Sequence, residues 1–231
     1  MRKTICLIVL AVLLMQGIPA FASADAPEKV IYLTFDDGPG PYTQQLLNIL
    51  DQYGVKATFF VVDTPYVSLL SEIARRGHTI GIHSASHSFR QVYAGETAFF
   101  EDLTAMGNII YRETGTYTDL IRFPGGSSNT VSRFNPGIMT RLTKAVEDMG
   151  YLYFDWNVDS NDAGGAETAW EVYDNVIRGC KGLRQAVVLQ HDIKPFSVEA
   201  VAWIVRWGKA NGYHFATLDA NGPIVHHDVQ N

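Results

Sequence analysis

Cysteine is nearly missing from this chain: only Cys6 and Cys180 occur in 231 residues. Cys6 lies inside an apolar run, not at a cleavage point, so a lipoprotein anchor is not indicated. Once that run is removed, Cys180 has no partner and an internal disulfide is excluded, so stability must come from a core. Charged residues are also sparse, at 18% against 47% hydrophobic. That balance excludes disordered, collagen-like and coiled-coil chains. Basic residues are the scarcer sign. Without Arg2 and Lys3 the 18 Lys and Arg fall to 16, against 24 Asp and Glu, a net charge of −8. Such a surface argues against nucleic acid or an anionic membrane as main partner. Internal repeats and low-complexity linkers are absent, and nothing marks a second domain.

The one long apolar run is N-terminal. Met1-Arg2-Lys3-Thr4 is a short positive stretch, Ile5 to Met15 is apolar, and Ala22-Ser23-Ala24 offers a small-residue cleavage site. The pattern matches a secretory signal peptide over residues 1–24. A spanning helix needs about 20 apolar residues, more than this run has before Gln16-Gly17. Residues 25–231 remain as a single domain, well above the roughly 40 residues below which staples are needed. The expected location is secreted or cell-wall associated.

Short β-rich apolar runs then alternate with helix-like stretches. Strands are predicted at Val30–Phe35, Ala57–Val62, Thr79–His83, Leu120–Phe123, Tyr151–Trp156, Ala186–Gln190 and His214–Leu218. Helices are predicted at Tyr42–Tyr53, Val67–Arg76, Ala98–Glu113, Pro136–Met149, Ala166–Arg178 and Val198–Ala210. Alternation of this kind argues for an α/β fold with a parallel sheet of seven strands. The central strands are almost wholly apolar, as strands covered on both faces should be. A closed βα barrel and an open doubly wound sheet both fit.

Polar residues gather just after five of these strands, where such folds place active sites. The clusters are Thr34-Phe35-Asp36-Asp37-Gly38, His83-Ser84-Ala85-Ser86-His87, Arg122-Phe123-Pro124-Gly125-Gly126, Asp159-Ser160-Asn161-Asp162 and His191-Asp192. His83 and His87, spaced i,i+4 on a turn of helix, would face one way and could share a metal ion. A zincin protease needs Glu after the first His, and Ser84 stands there. Asp37 is a candidate third ligand. Asp36 beside it would point the other way along an extended chain, and Arg122 could hold one carboxylate ionised. His191 emerges from a buried strand, and Asp162 or Asp159 could partner it and raise its pKa. His78 reads as a buried strand-edge residue and His214 as structural. His226 and His227 read as tail, and Trp203 and Trp207 as core.

Taken in order, these five clusters resemble the motifs of the NodB-homology polysaccharide deacetylases, carbohydrate esterase family 4, from about Val30 to Leu218. The resemblance implies a distorted (β/α) barrel of about seven parallel strands. It also implies a hydrolase of carbon–nitrogen amide bonds similar to peptidoglycan N-acetylglucosamine deacetylases. Residue by residue, it implies Asp36 as catalytic base, His191 as acid, and Asp37, His83 and His87 as ligands of one divalent ion. Zn²⁺ is the expected ion, with Co²⁺ or another divalent ion as alternatives. Arg122 would orient Asp36, Asp162 would orient His191, Leu189 would line the acetyl pocket, and the Gly125 N–H would face the oxyanion. Two positions depart from the family pattern: Gly125 and Ala163 stand where groove aromatics are usual.

The expected substrate is an acetylated polysaccharide, peptidoglycan first, with no stable protein partner. Acetylated xylan, chitin oligosaccharides and a catalytically inactive sugar-binding role are the alternatives. Retention of both Asp36 and His191 speaks against the last, since binding alone needs neither base nor acid.

Overall fold

The structure, a computed structural model, describes residues 28–231. The signal-peptide expectation therefore lies outside the described residues. Among those residues, no helix is long and apolar enough to cross a membrane.

Eight parallel strands build one sheet. They are β1 (Lys29–Asp36), β2 (Thr58–Val62), β3 (Thr79–Ser84), β4 (Leu120–Ile121), β5 (Leu152–Tyr153), β6 (Val158–Asp159), β7 (Gln185–His191) and β8 (Tyr213–Phe215). Neighbours run β5-β4-β3-β2-β1-β7-β6, a path of seven, with β8 attached to β1 beside Lys29–Ile31. Helices α1 (Thr43–Gln52), α2 (Leu69–Arg75), α3 (Phe89–Val92), α4 (Glu96–Thr114), α5 (Ile138–Asp148), α6 (Ala169–Cys180) and α7 (Pro195–Ala210) complete the domain. This is the distorted barrel the resemblance implies. Two elements escape the sequence pattern, α3 and β6. Both are too short to show a period, and Val158–Asp159 is recognisable as a strand only through its pairing with Val188 and Leu189.

Strand periodicity places the site. Along β1, Ile31, Leu33 and Phe35 belong to the large cluster shared with the helices, while Tyr32 joins a smaller cluster with Phe60, Leu120, Phe154, Val187 and Leu218. Side chains alternate faces along a strand. The face of Tyr32 therefore also carries Thr34 and Asp36, that of Val187 carries Leu189 and His191, and that of Leu120 carries Arg122. Apolar packing fills the lower interior, and polar groups occupy the C-terminal rim, as in βα barrels generally.

The edge strands β5 and β6 are joined by residues 154–157, which leaves a seam in the barrel wall. Residues 225–227 lie along it. The Asp155 N–H donates to Val225 O at 2.8 Å, and the His226 ring stacks on Tyr153 at 3.6 Å.

Candidate active site

The adjacent carboxylates stand at the end of β1, Asp36 as its last residue and Asp37 just beyond it. Asp36 is buried and accepts from Arg122 Nη1 at 2.8 Å. The Arg122 side chain is wholly buried and has every nitrogen engaged: Nη1 also donates to Thr34 Oγ1 at 2.6 Å, Nε to Phe154 O at 2.9 Å and Nη2 to Asp155 O at 3.0 Å. Its guanidinium lies 4.3 Å from the Phe60 ring centroid. A cation so fully hydrogen-bonded is a fixed positive charge beside Asp36.

Asp37 adopts a left-handed backbone, φ 68°, and turns toward the histidines. Its Oδ1 lies 3.1 Å from His87 Nε2 and 3.4 Å from His83 Nε2, yet it is buried and neither nitrogen meets it in hydrogen-bonding geometry. Burial alone would raise the Asp37 carboxyl. The close approach of His87 and the charges of His83, His87 and His191 outweigh it and hold the group well below the usual carboxylate range. The three ligand atoms all lie within 4.8 Å of one another.

His83 donates through Nδ1 to Arg122 O at 2.8 Å, since a carbonyl can only accept. That bond fixes the tautomer and leaves the Nε2 lone pair facing Asp37. Burial lowers the His83 pKa despite the nearby carboxylates of Asp36 and Asp37, favouring the neutral ligand form. For His87 the contact with Asp37 wins and raises it. A buried carboxylate oxygen with no hydrogen bond, faced by two imidazole nitrogens, fits a divalent ion of the zinc type.

The two histidines do not sit on a helical turn, contrary to the i,i+4 expectation. His83 is in β3, and residues 85–88 form an irregular loop in which His87 has φ 47°. Asp102 of α4 holds that loop. It accepts from Ser84 Oγ at 2.6 Å, the Ala85 N–H at 2.9 Å and the Ser86 N–H at 2.8 Å, while Ser84 Oγ accepts from the His87 N–H at 2.8 Å. Sequence reasoning missed Asp102, which looks like any polar residue of an amphipathic helix.

His191 closes the site from β7. Asp162 grips it twice, accepting from the His191 backbone N–H and from Nδ1, each at 2.7 Å. Asp159 is exposed and caps its own turn by accepting from the Asn161 N–H, so the open choice falls to Asp162. Burial would lower the His191 pKa. The Asp162 hydrogen bond and charge, with Asp36 and Asp37, overcome this and raise it to about 9. His191 Nε2 stands 3.9 Å from Asp37 Oδ2. Leu189 is buried opposite Thr34 in register.

Gly125 and Ala163 are both exposed at the rim. Gly125 has φ 75°, and a Cβ there would come 3.3 Å from Asn129 Cβ. Glycine suits that conformation, and a larger residue would be strained.

The tail reading of His226 and His227 and the structural reading of His214 need correction. His226 and His227 are held by hydrogen bonds to Tyr153 O and Trp156 O, at 3.0 and 2.7 Å. His214 is exposed, 3.5 Å from Glu28. Trp203 and Trp207 pack against the core yet also line a surface groove of about 480 Å³ with Trp170, Tyr173 and Arg206. His78 is buried as expected, accepts from the Ala57 N–H at 3.2 Å, and is lowered to about 4 by burial. Cys180 is a free buried thiol pushed up to about 12 by burial. Asp155, within an apolar strand run, was also missed. An acid in such a run was the available signal.

The C-terminal rim of this parallel (β/α) barrel thus gathers paired carboxylates, two imidazoles facing one of them and a carboxylate-held histidine, a set of groups suited to hydrolysis. The polysaccharide deacetylase family profile matches residues 23–152, and the chain belongs to that family. A peptidoglycan-N-acetylglucosamine deacetylase of Bacillus cereus is 38% identical over 202 residues, covering 81% of this chain and 68% of the relative. The catalytic domain of peptidoglycan N-acetylglucosamine deacetylase from Eubacterium rectale superposes with a TM-score of 0.87 at 54% identity, covering 91% of this chain and 99% of that one. The polysaccharide deacetylase Bc1974 of Bacillus cereus gives 0.76 at 33% identity, covering 85% and 96%.

Proposed function

We propose that this polysaccharide deacetylase is a secreted, divalent-metal-dependent enzyme that removes acetyl groups from the N-acetylglucosamine of peptidoglycan. The observation that carries the reading is that Asp36, held by Arg122, and His191, held by Asp162, both stand beside the Asp37–His83–His87 cluster. The relatives named for peptidoglycan support the substrate, and the apolar leader supports export.

Asp37, His83 and His87 would hold the ion, with Zn²⁺ the expected species. Bound there, a divalent ion supplies Lewis acidity toward the acetamide carbonyl and lowers the pKa of water. Asp36, oriented by Arg122, takes the proton of the attacking water. The Gly125 N–H donates to the oxygen that becomes negative as the carbonyl turns tetrahedral. Leu189 walls the acetyl methyl. His191 gives its proton to the departing nitrogen as the C–N bond breaks, leaving acetate and a free amino sugar.

Gly125 and Ala163 are exposed at the rim, and the absence of aromatic side chains there favours a glycan bearing peptide branches. The test is acetate release from matched peptidoglycan, chitin and acetylated xylan fragments, with and without chelator. Peptidoglycan fragments should show the highest kcat/KM, and release should stop with chelator and return with metal. A tenfold preference for chitin or xylan, about 1.4 kcal/mol in the barrier, would overturn the substrate. Chelator-insensitive release would overturn the metal. No release from any of them would favour a sugar-binding protein.

A further inference from the structure

We propose that the segment 225–231 is a positioning strap of the active site, holding through Asp155 the loop 123–129 that carries Gly125. The inference rests on the deacetylase reading only for the role of the Gly125 amide.

Asp155 is fully buried, and its carboxylate is shared between the loop and the strap. Oδ1 accepts from the Ser127 N–H at 2.9 Å. Oδ2 accepts from Ser127 Oγ at 2.5 Å and from the His227 N–H at 2.8 Å. The backbone of the same residue donates to Val225 O at 2.8 Å and accepts from Arg122 Nη2 at 3.0 Å. One acid thus joins the strap, the loop and the guanidinium that holds Asp36. A buried carboxylate that loses one of these donors is left partly uncompensated, so the group works only with the strap in place.

The His227 ring adds a second tie. Trp156 O can only accept, so Nε2 donates to it at 2.7 Å, and Nδ1 lies 3.1 Å from Ser128 Oγ. The Trp156 ring packs so close to Gly126, φ 79°, that a Cβ there would come within 2.9 Å of it. At the far end, Asn231 Oδ1 accepts from the Gly137 N–H at 3.0 Å and Nδ2 donates to Ser132 Oγ at 2.9 Å.

Gly125 therefore lies between two anchors. Pro124 O accepts from the Tyr93 hydroxyl at 2.7 Å on one side, and Ser127 is bound to Asp155 on the other. Freed at Ser127, the Gly125 amide would move relative to Asp36 and His191. A misplacement of about 1 Å costs on the order of 10²-fold in rate. The metal cluster hangs on β1, β3 and Asp102, and none of its hydrogen bonds involves the strap.

The experiment compares the full chain with a chain ending at Ile224 and with His227→Ala. Both are read as kcat per folded, metal-loaded molecule, KM, Zn²⁺ affinity by titration calorimetry, and amide exchange at Gly125–Ser127. Expected for the truncation is a kcat loss of roughly 10²-fold, unchanged KM and Zn²⁺ affinity, and faster exchange at Gly125–Ser127 but not at His83. Adding a synthetic 225–231 peptide should restore part of the rate. His227→Ala should show the same pattern more weakly. A merely structural strap would lower stability and the folded fraction while leaving kcat per folded molecule and the local exchange unchanged, and that result overturns the proposal. If the truncation does not fold, His227→Ala decides by the same criteria. If wild type releases no acetate from any glycan, the deacetylase reading fails, and the exchange arm alone decides the strap.

Discussion

Asp36 and His191, far apart in sequence, are register partners at the C-terminal ends of the adjacent strands β1 and β7. Residues paired in this way on parallel strands project from the same face, so the proposed base and acid enter the site side by side. Their supports come from elsewhere: Arg122 after β4 for the base, Asp162 after β6 for the acid.

Removing the base should separate chemistry from metal binding. Asp36→Asn keeps the size of the side chain, and the variant is expected to bind Zn²⁺ normally while losing about 10²–10⁴ in rate. Calorimetry and acetate release on one preparation check it. Wild-type turnover would remove Asp36 from the mechanism.

The ligand variants should behave in the opposite way. His87→Ala is expected to lose metal affinity and activity together. Asp102→Ala, which frees the loop between the histidines, should weaken metal binding by about 10–100-fold, the usual effect of removing a supporting partner. Unchanged affinity in His87→Ala would strike it from the ligand set.

With His191 as the proposed acid, activity has a limit at high pH. His191 titrates at about 9, so its donating form is present below that value and kcat/KM should fall as pH rises through it. Asp162→Asn removes the support, and the alkaline fall should move toward the ordinary histidine value of about 6.5. Stability follows the same sign. The Asp162–His191 pair contributes fully between the unfolded values of about 3.9 for Asp and 6.5 for His, fades as pH climbs through about 9, and is also lost as acid protonates Asp162. A pH profile unmoved by Asp162→Asn would sink the assignment.

Arg122→Lys keeps the charge but loses the planar fork that serves Thr34, Asp36, Phe154 and Asp155. Charged hydrogen bonds contribute about 1.5–3 kcal/mol each, so losing one or two should cost roughly 3 kcal/mol. Urea unfolding would register this as a lower midpoint at unchanged slope. An unchanged midpoint would show that the fork is dispensable.

Leader processing is checked by N-terminal sequencing. Cleavage after Ala24 puts Asp25 first, in the medium or the cell-wall fraction. A membrane-bound form beginning at Met1 would falsify export by a cleaved signal peptide.

Much of this protein was legible in the sequence. Apolar runs such as Val30–Phe35 and Ala186–Gln190 specify their strands locally, because a strand buried on both faces must be apolar throughout. The acids and histidines that follow those runs mark the rim, since strand ends in a parallel barrel share one side. Tertiary structure decided what depends on contact between distant segments. Asp162 rather than Asp159 reaches His191 because of how the turn after β6 folds back. The histidine pair is aligned by Asp102 from another element, with no help from helical spacing. Asp155 and His227 matter because the barrel has a seam that residues 225–227 lie along, and a seam is a property of strand closure that no local pattern records. Sequence periodicity reports which face a residue takes on its own element. Which partner meets it there is set by how the sheet curls.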